Sequence, residues 1–172
     1  MDFTFSEDQR LFAGTLSDIL SADCPPEAVR ASWEDPDARV SGLWEALGGT
    51  GVLGMTAPES HEGLGMDEVD LVLLLEELGR AACPEPVAEH VAVALPLLRD
   101  HGSAALRDTW LGRAATGDVV LTAGSPVDDL VLAAGRADLS LLGVDGALHA
   151  VPAEQMTCTG QPSVDASRRL AR

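Results

Sequence analysis

The sequence predicts an α+β protein: an N-terminal all-helical bundle over residues 1–116, then a small partial β domain over residues 117–172. Apolar residues recur at helical spacing through the first two thirds of the chain. Proline and glycine close those segments. From Gly117 onward the pattern shortens into β-rich runs bounded by turn residues.

The first helix opens at Ser6, whose hydroxyl can form a capping box with Gln9. Leu11, Phe12, Leu16, Ile19 and Leu20 fall on one stripe behind it, and Pro25-Pro26 stop it. A short helix is expected from Glu27 to Trp33. A third is expected from Val40 to Leu47, where Gly48-Gly49 suits a left-handed cap. Next comes the loop Thr56-Ala57-Pro58-Glu59-Ser60-His61-Glu62-Gly63-Leu64-Gly65, a helix–helix connection whose glycines suit positive φ. Asp67 is a capping residue for the helix after it. That helix is apolar on most sides from Val69 to Leu75, which predicts a central place in the bundle. Arg80 stands at i+4 from Glu76 and i+3 from Glu77, the spacing of a helix-surface ion pair. The helix from Val87 to His101 holds Pro96, which predicts a kink. Ser103 opens another that runs through Trp110 to Ala115. In the β part, Asp145-Gly146 has the signature of a two-residue hairpin turn. The final residues, VDASRRLAR, show no finishing element. The strands are therefore expected to lean on the helices, on a partner or on further sequence.

Composition narrows the function. The chain has 172 residues, enough for a domain of ordinary size, and its hydrophobic fraction of 46% can fill a core. The net charge is −17 and all 11 basic residues are arginine. Such a surface argues against nucleic acid, which needs a basic patch, and against docking on an anionic membrane. Cys24, Cys83 and Cys158 are odd in number and far apart, so they make no disulfide framework. The N-terminus carries no signal-peptide pattern, and no run approaches the ~18 apolar residues of a membrane span. A cytoplasmic protein with reduced thiols is the expectation.

Candidate chemistry is sparse. The Thr56–Gly65 loop fails the phosphate-binding tests, because it has no Gly-Lys-Ser/Thr ending and no βαβ setting. His61 with Glu59 and Glu62 is a weak metal set, without a second ligand cluster. His90 is expected as a core or interface histidine, since no nucleophile motif lies near it. The residues by themselves assign no catalytic group and no metal ligand.

Taken together, some stretches say more. From Leu43 to Ala81, "LWEALGGTGVLGMTAPESHEGLGMDEVDLVLLLEELGRA" resembles the N-terminal helical domain of the acyl-CoA dehydrogenases. That family shows a Trp-containing helix, a Leu-Gly turn, a Pro-Glu-x-x-Gly-Gly-Leu-Gly-like loop and an apolar helix ending Glu-Glu-Leu-Gly-Arg. "FTFSEDQRLF" resembles its first helix, and "WLGRAATGDVVLTA" its passage into the β domain. Glu62 stands where the family has the loop's first glycine.

The resemblance implies FAD as cofactor and an acyl-CoA thioester as substrate, oxidised at its Cα–Cβ bond. In the family a carboxylate removes the α proton while the β hydride passes to the flavin. In the family that carboxylate lies in a C-terminal helical domain, outside what these 172 residues resemble, so no catalytic base is assigned here. The family's flavin-contacting Thr-Glu-Pro segment corresponds to Leu121-Thr122-Ala123-Gly124-Ser125-Pro126, which carries over Leu121, Thr122 and Ala123 as flavin contacts. The Glu-Pro is gone, and so is the later Trp-containing strand. The helix from Val87 to His101 corresponds to one that lines the family's acyl pocket, and Ala88, Ala92 and Leu95 fall on one face of it at helical spacing. The shortened β part resembles a subunit of the heteromeric actinobacterial enzymes, which implies a homo- or hetero-oligomer with another such chain. The alternative is a non-catalytic, dehydrogenase-derived partner subunit or acyl-binding protein without flavin.

Overall fold

The computed structural model describes residues 4–125 and 127–172; Phe3, at the head of the first motif, and Pro126, at the end of the flavin-type segment, lie outside the described residues. Six α-helices come first: α1 (Glu7–Asp23), α2 (Pro26–Ser32), α3 (Leu43–Gly49), α4 (Leu71–Arg80), α5 (Leu95–His101) and α6 (Ala104–Ala115). A π-helical stretch, Ala88–Ala94, runs directly into α5. The capping box of α1 forms in full, with the Gln9 amide N–H on Ser6 Oγ at 3.1 Å and the Ser6 N–H on Gln9 Oε1 at 2.8 Å. The Gln9 side chain then donates to Asp70 Oδ1 at 2.7 Å, tying the start of α1 to the start of α4. Leu16 and Leu20 are buried as the stripe predicts, but Leu11 is 71% exposed.

Several expectations are corrected. α4 is not central: Leu71, Leu74 and Leu78 face the core, while Val69 and Val72 are exposed on the other side. Asp67 accepts from the Val69 and Asp70 N–H groups and so caps the turn before α4, which begins at Leu71. Gly48 and Gly49 continue α3, and the left-handed residue after it is Gly51. In the Thr56–Gly65 loop the left-handed positions are Glu62, at φ +61°, and Gly65. Gly63 is there for space instead, since a Cβ on it would lie 2.0 Å from the Ala57 carbonyl oxygen. The Arg80 guanidinium pairs with Glu77 at 2.6 Å and also donates to Ser17 Oγ.

Pro96 acts through the π-helical stretch. Its ring cannot donate to the preceding turn and crowds it. The Leu95 N–H reaches back five residues to His90 O, and the wider turns ahead of the proline absorb the conflict.

The strands form two small sheets. In the first, β1 (Leu121–Gly124) runs parallel to β3 (Leu139–Val144), and β3 pairs antiparallel with β4 (Ala147–Pro152) across the Asp145-Gly146 turn. In the second, β6 (Leu170–Ala171) lies between β2 (Val131–Leu132) and β5 (Gly160–Gln161). The final residues, in which no finishing element was legible, thus supply a central strand. One core gathers Leu16, Leu43, Leu53 and Leu74 inside the helices; a second joins Leu95, Leu98 and Leu111 to Leu121 and Leu139 of the sheet. Backbone also meets backbone: a Cβ on Gly48 would lie 2.7 Å from Thr116 O, and one on Gly54 would lie 2.8 Å from Ala115 O.

Two buried polar contacts fasten helices to strands. His90 is fully buried, its Nδ1 accepting from the Leu121 N–H at 2.9 Å and its Nε2 standing 3.1 Å from Ala114 O. An amide N–H can only donate, so Nδ1 is bare and Nε2 carries the proton that bonds Ala114. The Trp44 ring meets the imidazole edge to face at 5.2 Å, and the indole N–H donates to Gly117 O. The second contact is the ion pair of Glu85 with Arg136, their side chains 0% and 5% exposed. Glu85 Oε1 accepts from the Val40 N–H at 2.9 Å, and the Arg136 guanidinium lies over Trp44.

Three outcomes follow from this packing. Gly63→Ala is expected to cost about 2 kcal/mol or more in urea unfolding, while Glu62→Gly stays within about 0.5 kcal/mol of the parent. Glu85→Ala, which strands a buried guanidinium, is expected to cost about 3–5 kcal/mol. Burial pushes the His90 pKa down to about 4, from 6.5 in the open chain. The stability it brings is therefore full above pH 6.5 and drains away as the pH falls toward 4. That loss is about 3 kcal/mol, and a His90→Gln variant in the same pH series removes this share of the slope.

Candidate functional site

A cleft of about 370 Å³ opens where the end of α4, the first turn of the π-helical stretch and the segment 165–169 meet. Leu75 and Ala88 lie on its apolar side; Asp37, Glu89, Arg168 and Arg169 bring charge to it. Arg169 donates to the backbone carbonyls of Trp33 and Asp35 at 2.7 and 2.6 Å, which pins the C-terminal segment against the end of α2. Arg168 reaches Glu89 at 3.4 Å. The Ser167 hydroxyl and amide hold the Asp165 carboxyl below the usual carboxylate range. Leu75, Leu78 and Ala88 give the cleft an apolar stretch of the kind that suits an acyl chain.

The structure parts the three residues expected on one helix face. Ala88 lines the cleft. Ala92, half-buried, packs on the helical core, and Leu95, fully buried, belongs to the core shared with the sheet. The physical reason is the π-helical stretch, whose wider turns rotate later side chains away from α-helical register.

Leu121 and Thr122 are both fully buried, and Ala123 is half-buried. The Thr122 hydroxyl donates to Leu132 O at 2.7 Å, binding β1 to β2. Beyond Gly124 lies a groove of about 560 Å³ bordered by Asp128, Asp129, Asp145 and Arg172. Arg172 is already paired with Asp129 at 2.6 Å. These residues do not fit a flavin nucleotide held by this chain unaided. The hydroxyl that would meet the ring is spent and out of reach. A pyrophosphate also calls for free N–H or cationic donors, whereas carboxylates dominate the groove.

His61 is placed between Ser60 Oγ at 3.0 Å and Asp108 Oδ1 at 3.4 Å. Among the described residues no three His, Cys, Asp or Glu side chains are grouped to hold a metal ion. No helix among them is long and apolar enough to cross a membrane. Sequence reasoning passed over Glu85 and Arg136. Neither belongs to a periodic run, and the one available signal was an acid set between two prolines, Pro84-Glu85-Pro86.

Comparison with known proteins agrees with the resemblance. The family model "Acyl-CoA dehydrogenase, N-terminal domain" matches residues 6–118. Acyl-CoA dehydrogenase FadE27 of Mycobacterium tuberculosis is 34% identical over 122 residues, 71% of this chain and 33% of that protein. Acyl-CoA dehydrogenase IpdE2 of Mycolicibacterium smegmatis is 29% identical over 167 residues, 96% of this chain and 51% of that protein. The crystal structure of the ChsE4–ChsE5 complex from Mycobacterium tuberculosis superposes with a TM-score of 0.79 at 25% identity, covering 99% of this chain and 58% of that one. The chain thus spans a third to a half of the curated relatives it matches. With a helical bundle, a sheet fastened to it through His90, and a family-model match over most of its length, the chain belongs to the acyl-CoA dehydrogenase family.

Proposed function

We propose that this chain serves as a subunit of an acyl-CoA dehydrogenase and contributes to FAD-dependent α,β-dehydrogenation of an acyl-CoA thioester. Further sequence or a partner chain of the same family supplies the flavin-holding groups and the catalytic carboxylate. The observation that carries the reading is the family-model match over residues 6–118, with the apolar stretch of the cleft at Leu75, Leu78 and Ala88 as a place for the acyl chain. The committed Thr122 hydroxyl supports this division of labour, because it leaves β1 no free side-chain donor for a flavin. The acidic surface and the absence of a spanning helix among the described residues fit work in the cytoplasm. A non-catalytic, dehydrogenase-derived partner subunit or acyl-binding protein without flavin is the second reading, and the same buried hydroxyl favours it.

The purified chain, incubated with excess FAD and desalted, is expected to be colourless. Co-purified with a full-length family partner, it is expected to carry a visible flavin band. Retention of flavin by the chain alone overturns the assignment of flavin to other groups, and a colourless complex favours the second reading. Ala88→Trp, which fills the cleft, is expected to weaken palmitoyl-CoA binding by calorimetry about tenfold or more; unchanged binding removes the cleft from the account.

A further inference from the structure

Cys24 and Cys83 are far apart in sequence, yet the fold brings them together. Cys24 is the C-cap of α1, its N–H bonded to Leu20 O at 3.0 Å, and Pro25 stops the helix there. α4 ends differently. Ala82 takes a left-handed φ of +49°, its N–H returns to Gly79 O, and the Cys83 N–H returns to Leu78 O. This pair of bonds is a Schellman closure, with alanine in the place glycine usually takes. It turns Cys83 back against the helical core to which Cys24 belongs. The two thiols are close enough to act on each other's ionisation, and both are free. Cys24 is 3% exposed, whereas Cys83 is half-buried and lines the cleft, so a small solute reaches the pair from that side. The shared contact pushes the Cys24 thiol down and, together with burial, the Cys83 thiol up, so the two sulfurs differ in their readiness to ionise.

We propose that Cys24 and Cys83 are a reversible dithiol–disulfide pair that locks the end of α1 to the end of α4 when a peroxide reaches the cleft. Two S–H bonds break and one S–S bond forms. The peroxide O–O bond takes up the two electrons and two protons and leaves as two waters. The cross-link closes a loop of roughly 60 residues, large enough for a marked gain in stability. The inference goes beyond the dehydrogenase reading and does not rest on it.

The test uses the full chain carrying Cys158→Ser, a change at an exposed thiol that leaves two cysteines. After brief exposure to hydrogen peroxide, the denatured protein is titrated for thiols and weighed. Both thiols are expected to disappear, with a mass lower by two hydrogen atoms, a linked Cys24–Cys83 peptide and full reversal by dithiothreitol. The unfolding midpoint is expected to rise by roughly 5–15 °C on oxidation. A Cys83→Ala variant in the same background shows neither the link nor the rise. Two thiols still titratable after peroxide, or oxygen added to either sulfur without a link, overturns the proposal.

Discussion

His90 stands between the last turn of α6 and the first residue of β1, and its two ring nitrogens hold both. An unpaired imidazole nitrogen at that depth, or an unpaired Leu121 amide, costs about 1–3 kcal/mol, so neither partner is free to drift. The arrangement has requirements upstream. His90 needs the π-helical turns around it to look toward α6 and the strand at once, and those turns exist because Pro96 denies the segment a regular ladder. It also needs Trp44, whose ring closes one side and whose indole N–H holds the Gly117 turn. Trp44 in turn supports Arg136 and, through it, Glu85. A short polar relay thus carries the β part on a bundle that would otherwise offer it an apolar wall and no orientation.

That relay explains why the site residues lie as they do. β1 is drawn in by His90 on one flank and by Thr122 on the other, so its side chains are used for packing and strand pairing before any ligand arrives. The open volume falls elsewhere: in the cleft beside Ala88 and in the acidic groove past Gly124. The first has an apolar stretch beside its charged groups, and the second is bordered mostly by carboxylates.

Much of this was legible in the residues. The Ser6–Gln9 box, the Ser103 cap and the Asp145-Gly146 turn rest on local chemistry, and local chemistry is what a sequence states directly. The same holds for the place of the Thr56–Gly65 loop between helices. What stayed hidden is long-range. Nothing in the run from Val69 to Leu75 tells which side of an apolar helix meets solvent. The partners of His90 lie 24 and 31 residues away, and Glu85 meets Arg136 across the whole joint. A two-residue strand such as β6 has no periodicity to read at all. The face drawn through Ala88, Ala92 and Leu95 assumed an α-helical period, and Pro96, directly after Leu95, changed the period instead.

The close approach of Gly48 and Gly54 to the carbonyls of Thr116 and Ala115 has a mechanical meaning. Side chains in a joint can change rotamer and let two parts swing, but main-chain atoms in contact have no such freedom. The end of α3 and the Val52–Gly54 turn are therefore welded to the end of α6 at this seam. Whatever settles on the protein meets a body already in its final shape, so docking forfeits little internal entropy and the contact area is turned more fully into affinity.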